Sequence, residues 1–140
     1  MPHQLFSLIQ SIKKGCVKTE EHLREEYSLS TAEFNGLLVM NPDEHVVGGV
    51  FSERMGLSAS RGSRVINQLV QKGYFQAEPM PENRRAIRVF LTEAGKQLRQ
   101  VLDIEIGQCE ERLLARIPEA QRDQFQDILN TLSCLLNHPN

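Results

Sequence analysis

The amino-acid sequence predicts a mainly α-helical fold that carries one small β-hairpin. Apolar residues recur at steps of three and four over most of the chain, which is the spacing of helices with one buried face. Gly56 separates two short helical patterns, and two runs rich in β-branched and aromatic residues flank a proline-containing turn. With 140 residues and 40% apolar content, the chain should form a single domain over 1–140.

The first predicted helix covers about Leu5 to Glu26, where the apolar residues follow one helical stripe. A second helix begins sharply, because Ser30 and Glu33 form a capping box, and Pro42 helps to stop it. The next segment, HVVGGV at residues 45–50, is ambiguous. Its paired valines favour a short strand, and its paired glycines weaken any helix.

A helix-turn-helix follows this segment. Val50 to Met55 is predicted as a short helix, Gly56 as its left-handed end, and Ser58 as the N-cap of the next helix. That second helix has two faces at helical spacing. Its apolar back consists of Val65, Ile66, Leu69 and Val70. Its polar, basic front carries Ser60, Arg61, Arg64, Asn67 and Gln68.

A basic hairpin comes next. Gly73 ends the second helix, and Tyr74 to Glu78 and Ala86 to Leu91 are predicted strands joined by a turn that contains Asn83. A hairpin in this position after a helix-turn-helix corresponds to a wing. Thr92 then caps a long helix.

The last predicted helix opens at Pro118, as its first helical residue. The long apolar stripes of the first and the last two helices exceed what one chain of this size can bury. We therefore expect them to pair with a second copy in a twofold homodimer. The predicted architecture is a winged helix-turn-helix with a DNA-binding lobe at about 30–92 and dimerisation helices at about 3–26 and 93–137.

Charge is distributed unevenly along the chain, although the net charge is only −2. Residues 54–99 carry nine Lys or Arg and three Glu, a local net charge of +6. Residues 1–53 have four basic and eight acidic side chains, and residues 100–140 have three and seven. A locally basic surface is sufficient to engage phosphates, because screening confines the relevant field to about 10 Å.

Polar side chains at the start of the second helix are the candidate DNA-reading residues, since the major groove admits one α-helix. They are Ser58, Ser60, Arg61, Ser63, Arg64 and Asn67. Arg84 and Arg85 at the hairpin tip suit the narrow minor groove, and Arg88 on the returning strand should support a phosphate contact. A merely solvated face is the alternative, and the tandem order of helix, glycine turn, helix and basic hairpin favours DNA binding over it.

Two segments of the chain carry family motifs, GLSASRGSRVINQLVQKGYF (56–75) and PENRRAIRVFLTEAG (81–95). They resemble the MarR family of winged helix-turn-helix transcription regulators, whose second motif usually reads D-x-R or DRR followed by LTxxG. The resemblance implies a triangular homodimer, DNA contact by the Ser58 helix and the Arg84 and Arg85 wing, and often control by a small-molecule effector.

The chain departs from the family pattern at two positions of the wing. Asn83 stands where the family usually has an aspartate, and Ala77 stands where it often has an arginine on the first wing strand. A carboxylate–guanidinium brace of the wing is therefore missing.

The cysteines and histidines do not form a ligand pattern. Cys16, Cys109 and Cys134 lack a CxxC pair, and the four histidines lack HxxxH spacing, so we expect reduced thiols, no metal site and no cofactor. Some relatives sense organic peroxides with a cysteine in the first helix, so Cys16 suggests a redox-sensing alternative. Its place on the apolar stripe favours a buried, inert thiol instead.

The leading hypothesis is a sequence-specific transcription regulator, a repressor that binds palindromic double-stranded DNA with half-sites about one turn apart. A winged-helix interaction protein that has lost DNA binding is the second hypothesis, suggested by Asn83, Ala77 and the acidic flanks. An enzyme is not expected, because no nucleophile, base and orienting residue occur together. The sequence has no run of about 18 apolar residues and no signal-peptide pattern, so we expect a cytoplasmic protein without membrane contact.

Overall fold

The computed structural model describes residues 2–138, which form six α-helices and three short β-strands. The helices are α1 (Gln4–Glu26), α2 (Thr31–Leu38), α3 (Gly48–Met55), α4 (Ala59–Gln71), α5 (Glu93–Leu114) and α6 (Glu119–Asn137). The strands are β1 (Val46–Val47), β2 (Phe75–Pro79) and β3 (Ile87–Leu91). The mainly helical winged helix-turn-helix fold predicted from the sequence is confirmed. The chain divides into two compact units, Met1–Asp103 and Ile104–Asn140.

The core of the first unit lies among α2, α3, α4 and the sheet, together with the end of α1 and the start of α5. Its most deeply buried large side chains include Phe51, Phe75, Leu37, Leu69 and Leu102. The Phe51 and Phe75 rings pack edge to face with their centroids 5.5 Å apart. This contact links α3 directly to the first strand of the hairpin.

The N-terminal caps of α2 and α4 confirm the starts predicted from the sequence. The Ser30 hydroxyl accepts a hydrogen bond from the Glu33 amide at 3.1 Å, and the Ser58 hydroxyl accepts one from the Arg61 amide at 3.3 Å. Gly56 ends α3 with φ +67° and ψ 29°, the left-handed conformation that glycine adopts without steric cost. The turn between the two helices is therefore fixed at both ends.

The ambiguous HVVGGV segment contains both of the structures that its residues favour. Val46 and Val47 pair with β3, and α3 begins immediately afterwards at Gly48, two residues before the predicted start at Val50. Val47 has extended backbone angles and serves as the N-cap residue of α3. The short strand thus adds a third member to the hairpin sheet, in the order β1-β3-β2.

The apolar back of α4 differs from the prediction at one position. Val65, Ile66 and Leu69 are buried as expected, but Val70 is 37% exposed. Its place in the buried face is taken by Gly62, which packs against α3. A helix face 100° wide accommodates residues at steps of three and four, and Gly62, Val65, Ile66 and Leu69 follow that spacing.

The second unit contains the end of α5 and all of α6. Pro118 is the N-cap residue of α6 and not its first helical residue, so the prediction was wrong by one position. No residue of α6 is buried, and the exposed apolar side chains of this unit include Ile104, Leu113, Ile128, Leu135 and Leu136. Within residues 2–138, no helix is long and apolar enough to cross a membrane.

An ion pair joins the loop that precedes β1 to α3. The Glu44 carboxylate accepts hydrogen bonds from the Arg54 guanidinium, at 3.1 Å for the Nη2–Oε2 pair, and from the Asn41 amide at 2.7 Å. Arg54 Nη1 also donates to the Val39 carbonyl at 3.0 Å. The Arg54 hydrogen bond and, next, that of Asn41 lower the pKa of Glu44 from 4.5 to about 2.

This pair should make folding stability depend on acid. Because the folded state holds the pKa of Glu44 below its unfolded value, the stabilisation is complete above pH 4.5 and is lost as pH falls towards 2. We expect Glu44→Gln to lower the free energy of unfolding by about 1 kcal/mol at pH 7, the upper range for a solvent-accessible pair. Urea unfolding at pH 7 and pH 3 checks this, with Glu53→Gln as the control at an exposed position of α3. A loss that did not shrink at pH 3 would contradict the assignment.

Candidate nucleic-acid interface

The front of α4 is exposed along its length and carries two arginines. The predicted DNA-reading residues all face solvent, namely Ser58, Ser60, Arg61, Ser63, Arg64 and Asn67. The opposite face is closed by the buried back of the helix. A 13-residue helix presented in this way has the size and exposure that insertion into the major groove requires.

The first turn of α4 combines a helix N-terminus with hydroxyl groups. The Ser58 hydroxyl caps the Arg61 amide, and it lies 3.3 Å from the Ser60 hydroxyl. Ser58 therefore has a structural role that is compatible with a contact to DNA at the same helix end. The partial positive charge of a helix N-terminus favours a phosphate at this position.

Close packing against α3 fixes the distance between α3 and α4. Gly62 lies against Ser52, and a Cβ added at Gly62 would fall 1.8 Å from the Ser52 hydroxyl oxygen and 2.6 Å from its Cβ. Ser52 is itself held by a hydrogen bond of its hydroxyl to the Gly48 carbonyl at 3.1 Å. The two helices of the helix-turn-helix therefore approach each other at a distance that only glycine permits here.

An ion pair between the exposed Lys72 ammonium and the buried Glu33 carboxylate anchors the C-terminal end of α4. Lys72 Nζ lies 2.5 Å from Glu33 Oε2 and donates to the Ser28 carbonyl at 2.5 Å. Burial alone would raise the pKa of Glu33, but hydrogen bonds from Lys72 and Ser30, with the Lys72 charge, outweigh it and lower that pKa. The Lys72 ammonium is thus engaged within the fold, and the positive charge of the α4 front comes from Arg61 and Arg64.

The tip of the wing is ordered by Asn83. Its side-chain oxygen accepts a hydrogen bond from the Arg85 amide at 3.1 Å, and its carbonyl accepts one from the Ala86 amide at 2.9 Å. An aspartate at this position would offer the same acceptor geometry, so the asparagine keeps the turn and loses only the charge. Arg84 and Arg85 stand exposed in this turn, where they were predicted.

Arg88 lies on the central strand of the sheet and is paired within the wing. Its Nη2 donates to Glu78 Oε2 at 2.8 Å, across the register that places the two residues directly opposite each other. Sequence reasoning assigned Arg88 to phosphate contact and did not identify Glu78. The signal was available, because Glu78 and Arg88 are symmetrically placed about the turn and have opposite charges.

A cavity of about 240 Å³ opens between the start of α3, α4 and the base of the wing. Its lining includes Gly48, Ser63, Ile66, Arg85 and Ile87. Two predicted DNA-reading residues, Ser63 and Arg85, thus share this cavity. The pocket could not be predicted from local spacing, because β1, α3, α4 and the wing all contribute to its walls.

Cys16 differs from the prediction of a buried thiol, while Cys109 and Cys134, expected to pack in the core or in an interface, are tested only within a single chain. Cys16 and Cys134 are exposed in the chain, and Cys109 is half-buried. No group of three or more His, Cys, Asp or Glu within residues 2–138 is placed to hold a metal ion. Cys16 belongs to the α1 stripe that a second copy is expected to cover, so its exposure in the single chain does not test redox sensing, which stays a hypothesis.

Comparison with solved structures identifies the fold. FabT from Streptococcus pneumoniae, solved in complex with DNA, has a TM-score of 0.87 at 18% identity, with 99% of each chain covered. MarR has a TM-score of 0.73 at 18% identity, covering 93% of this chain and 95% of its own. The transcriptional regulator SlyA has a TM-score of 0.76 at 16% identity, covering 95% of this chain and 94% of its own. No family model and no curated protein matches the chain.

These likenesses extend over almost the whole chain, so they include the long terminal helices as well as the winged lobe. The chain has a MarR-like winged helix-turn-helix fold. The resemblance drawn from the two sequence motifs is therefore confirmed for the fold.

Proposed function

We propose that the chain is a sequence-specific DNA-binding transcription regulator. One observation carries this proposal: the basic, exposed front of α4 and the arginine-tipped wing occur in the same compact unit. Within that unit, residues 54–99 carry a local net charge of +6. Neither a protein-interaction module without DNA binding nor redox sensing has an observation of this kind in its favour, and we propose no catalytic role.

Within this function, the residues divide by the part of DNA that they suit. Arg61 and Arg64 have the guanidinium geometry that pairs with guanine O6 and N7, and Asn67 has the amide that pairs with adenine. Ser58, Ser60 and Ser63 suit phosphate or base contacts at the helix N-terminus. Arg84 and Arg85 suit the minor groove, whose negative potential attracts guanidinium groups.

The unpartnered apolar surface supports a homodimer. On α1, the apolar side chains Leu5, Phe6, Leu8 and Ile12 are each more than half exposed. The second unit exposes a comparable set on α6. Surface of this extent is unusual for a monomer and typical of an interface. A twofold dimer would present two α4 helices to a palindrome with half-sites about one helical turn apart.

Control by a small molecule is part of the proposal because the resemblance implies it. A ligand in the solvent-open cavity beside Ser63 and Arg85 would contact α4 and the wing together, so it would compete with DNA for the same side chains. We also propose that the protein acts as a repressor and that it is located in the cytoplasm.

Selection of bound fragments from the source genome tests the function as a whole. We expect enrichment of a short set of sites that share a palindrome. Failure to enrich any site, with recovery of a stable protein partner in its place, would favour the interaction-module hypothesis. The same experiment supplies the operator needed for the measurements below.

Arg64→Ala should weaken binding to the selected operator about tenfold, as expected for loss of one good base contact. Affinity of the wild-type protein should also fall steeply as salt rises, because phosphate contacts release counterions. Titration by fluorescence anisotropy at several salt concentrations measures both effects. Arg116→Ala, an exposed arginine of the other unit, is the control for charge loss alone. Equal affinities of the Arg64→Ala and wild-type proteins would overturn the assignment of α4.

A further inference from the structure

The outer face of the sheet carries a row of side chains that crosses all three strands. Arg88 on β3 lies opposite Val47 of β1 on one side and opposite Glu78 of β2 on the other. The core-facing residues are the alternate ones, including the buried Phe75 and Val89. Arg88 therefore lies in the middle of the outer face. Only the Pro79–Ile87 pair separates the Glu78–Arg88 pair from the wing turn.

Both carboxylate oxygens of Glu78 are engaged on this face. Oε2 accepts from Arg88 Nη2 at 2.8 Å, and Oε1 accepts from Gln76 Nε2 at 3.1 Å. The Arg88 Nε atom is inaccessible to solvent, although the Arg88 and Glu78 side chains as a whole are 43% and 39% exposed. A group held in this way has lost much of the freedom that a direct phosphate contact would use.

We propose that Arg88 and Glu78 form a brace that positions the wing for DNA, and that Arg88 is a positioning residue rather than a phosphate contact. The proposal rests on the proposed DNA-binding function of the wing. The Glu78–Arg88 pair, which joins the two wing strands directly, takes the place of the family's brace, which is missing because this chain has Asn83 and Ala77. The Asn83 hydrogen bonds order the tip, and the Glu78–Arg88 pair fixes the strand register beside it.

The direction in which Glu78→Gln changes the affinity for DNA shows whether Glu78 positions the wing or has no role in binding. An acidic side chain near DNA repels phosphates, so removing a carboxylate that does nothing else should strengthen binding. Removing a brace should weaken binding, because the wing arginines must then be ordered at the moment of association. The two roles therefore predict opposite changes in affinity for Glu78→Gln.

The first test uses the free protein and requires no DNA. Hydrogen exchange of the Ala86 amide, bonded to Asn83, and the Met80 amide, bonded to Ala86, reports opening of the wing. We expect Glu78→Gln and Arg88→Met each to accelerate this exchange about threefold, with no further gain in the double variant. The charge swap E78R/R88E should restore the slow exchange. Unchanged exchange in both single variants would overturn the brace.

The second test measures affinity for the selected operator at fixed salt. We expect Glu78→Gln to weaken binding about threefold and the charge swap to recover most of the loss. Glu82→Gln, an exposed carboxylate of the wing turn, is the matched control and should bind slightly more tightly than wild type. Tighter binding by Glu78→Gln as well would overturn the positioning role.

The two measurements also separate this proposal from the proposed function. If wild type binds no DNA while the variants still exchange faster, the brace exists and the DNA-binding function is wrong, so the positioning role falls with it. If wild type binds DNA and Arg88→Met alone weakens binding, with Glu78→Gln unchanged and a salt slope reduced by about one, Arg88 is a phosphate contact and the brace is wrong.

Discussion

Gly62→Ala should lower the free energy of unfolding by about 2 kcal/mol and displace the DNA-reading helix. The added Cβ would lie 1.8 Å from Ser52 Oγ, 2.6 Å from its Cβ and 3.1 Å from its Cα, so α4 and α3 must separate. Overpacking of a tight contact costs about 1 to 3 kcal/mol, which outweighs the gain of up to about 1 kcal/mol that alanine brings to a helix interior. Urea unfolding at matched protein concentration measures the loss, since the stability of a dimer depends on concentration.

A glycine exchange between the two helices provides the control for this prediction. In the double variant S52G/G62A, the serine hydroxyl and Cβ are gone, and the nearest remaining atom is the Ser52 Cα at 3.1 Å. We expect the double variant to be more stable than the sum of the single changes predicts. Gly49→Ala in α3, where a Cβ meets nothing within 4 Å, should cause no loss. Additive effects of the two single changes would contradict the packing explanation.

The helix-turn-helix could be predicted from the sequence because its signals are local. The Ser30 and Ser58 caps and the left-handed Gly56 act within a few residues along the chain. The polar front of α4 follows from helical spacing alone. Local spacing did not decide which residues border the buried face of α4. Val70 was assigned to that face but is exposed, and Gly62 was not assigned to it but is buried.

The remaining parts of the site depend on contacts between distant residues. Glu33 and Lys72 are separated by 39 positions, and only the packed fold brings them together. Glu78 and Arg88 meet only in a hairpin register centred on Asn83, and without that register Arg88 looked like a free cation, although its symmetric placement with Glu78 about the turn was a usable signal. The cavity beside Arg85 requires β1, α3, α4 and the wing at once. The exposure of Cys16 in the single chain could not be predicted either, because an apolar pattern identifies one face of a helix but not what packs against it.

The junction between the wing and α5 is another contact that local spacing could not show. The Thr92 hydroxyl donates to the Gly73 carbonyl at 2.5 Å and accepts from the Gly95 amide at 3.1 Å. The Thr92 amide donates to the Tyr74 carbonyl at 3.0 Å. The start of α5 is thereby held against the turn that begins β2, and Gly95 is the residue that faces this turn.

Gly95→Ala should destabilise the fold more than Gly62→Ala, by about 3 kcal/mol. A Cβ at Gly95 would lie 2.0 Å from the Tyr74 carbonyl oxygen and 3.0 Å from its carbon. Backbone cannot move aside as a side chain does, and a shift of this carbonyl would break its hydrogen bond from Thr92. Urea unfolding checks the loss, with Gly107→Ala as the control, because a Cβ there meets nothing within 4 Å on the same helix.

Thr92→Ala keeps this prediction measurable if Gly95→Ala fails to fold. Removing the hydroxyl deletes the α5 cap and the bond to Gly73 but adds no atom at the junction, so we expect a loss of about 1 to 2 kcal/mol. The order of stabilities should be wild type, Thr92→Ala, then Gly95→Ala. A Gly95→Ala protein as stable as Gly107→Ala would show that α5 can retreat from the turn, and the close contact would then have no role in holding the wing.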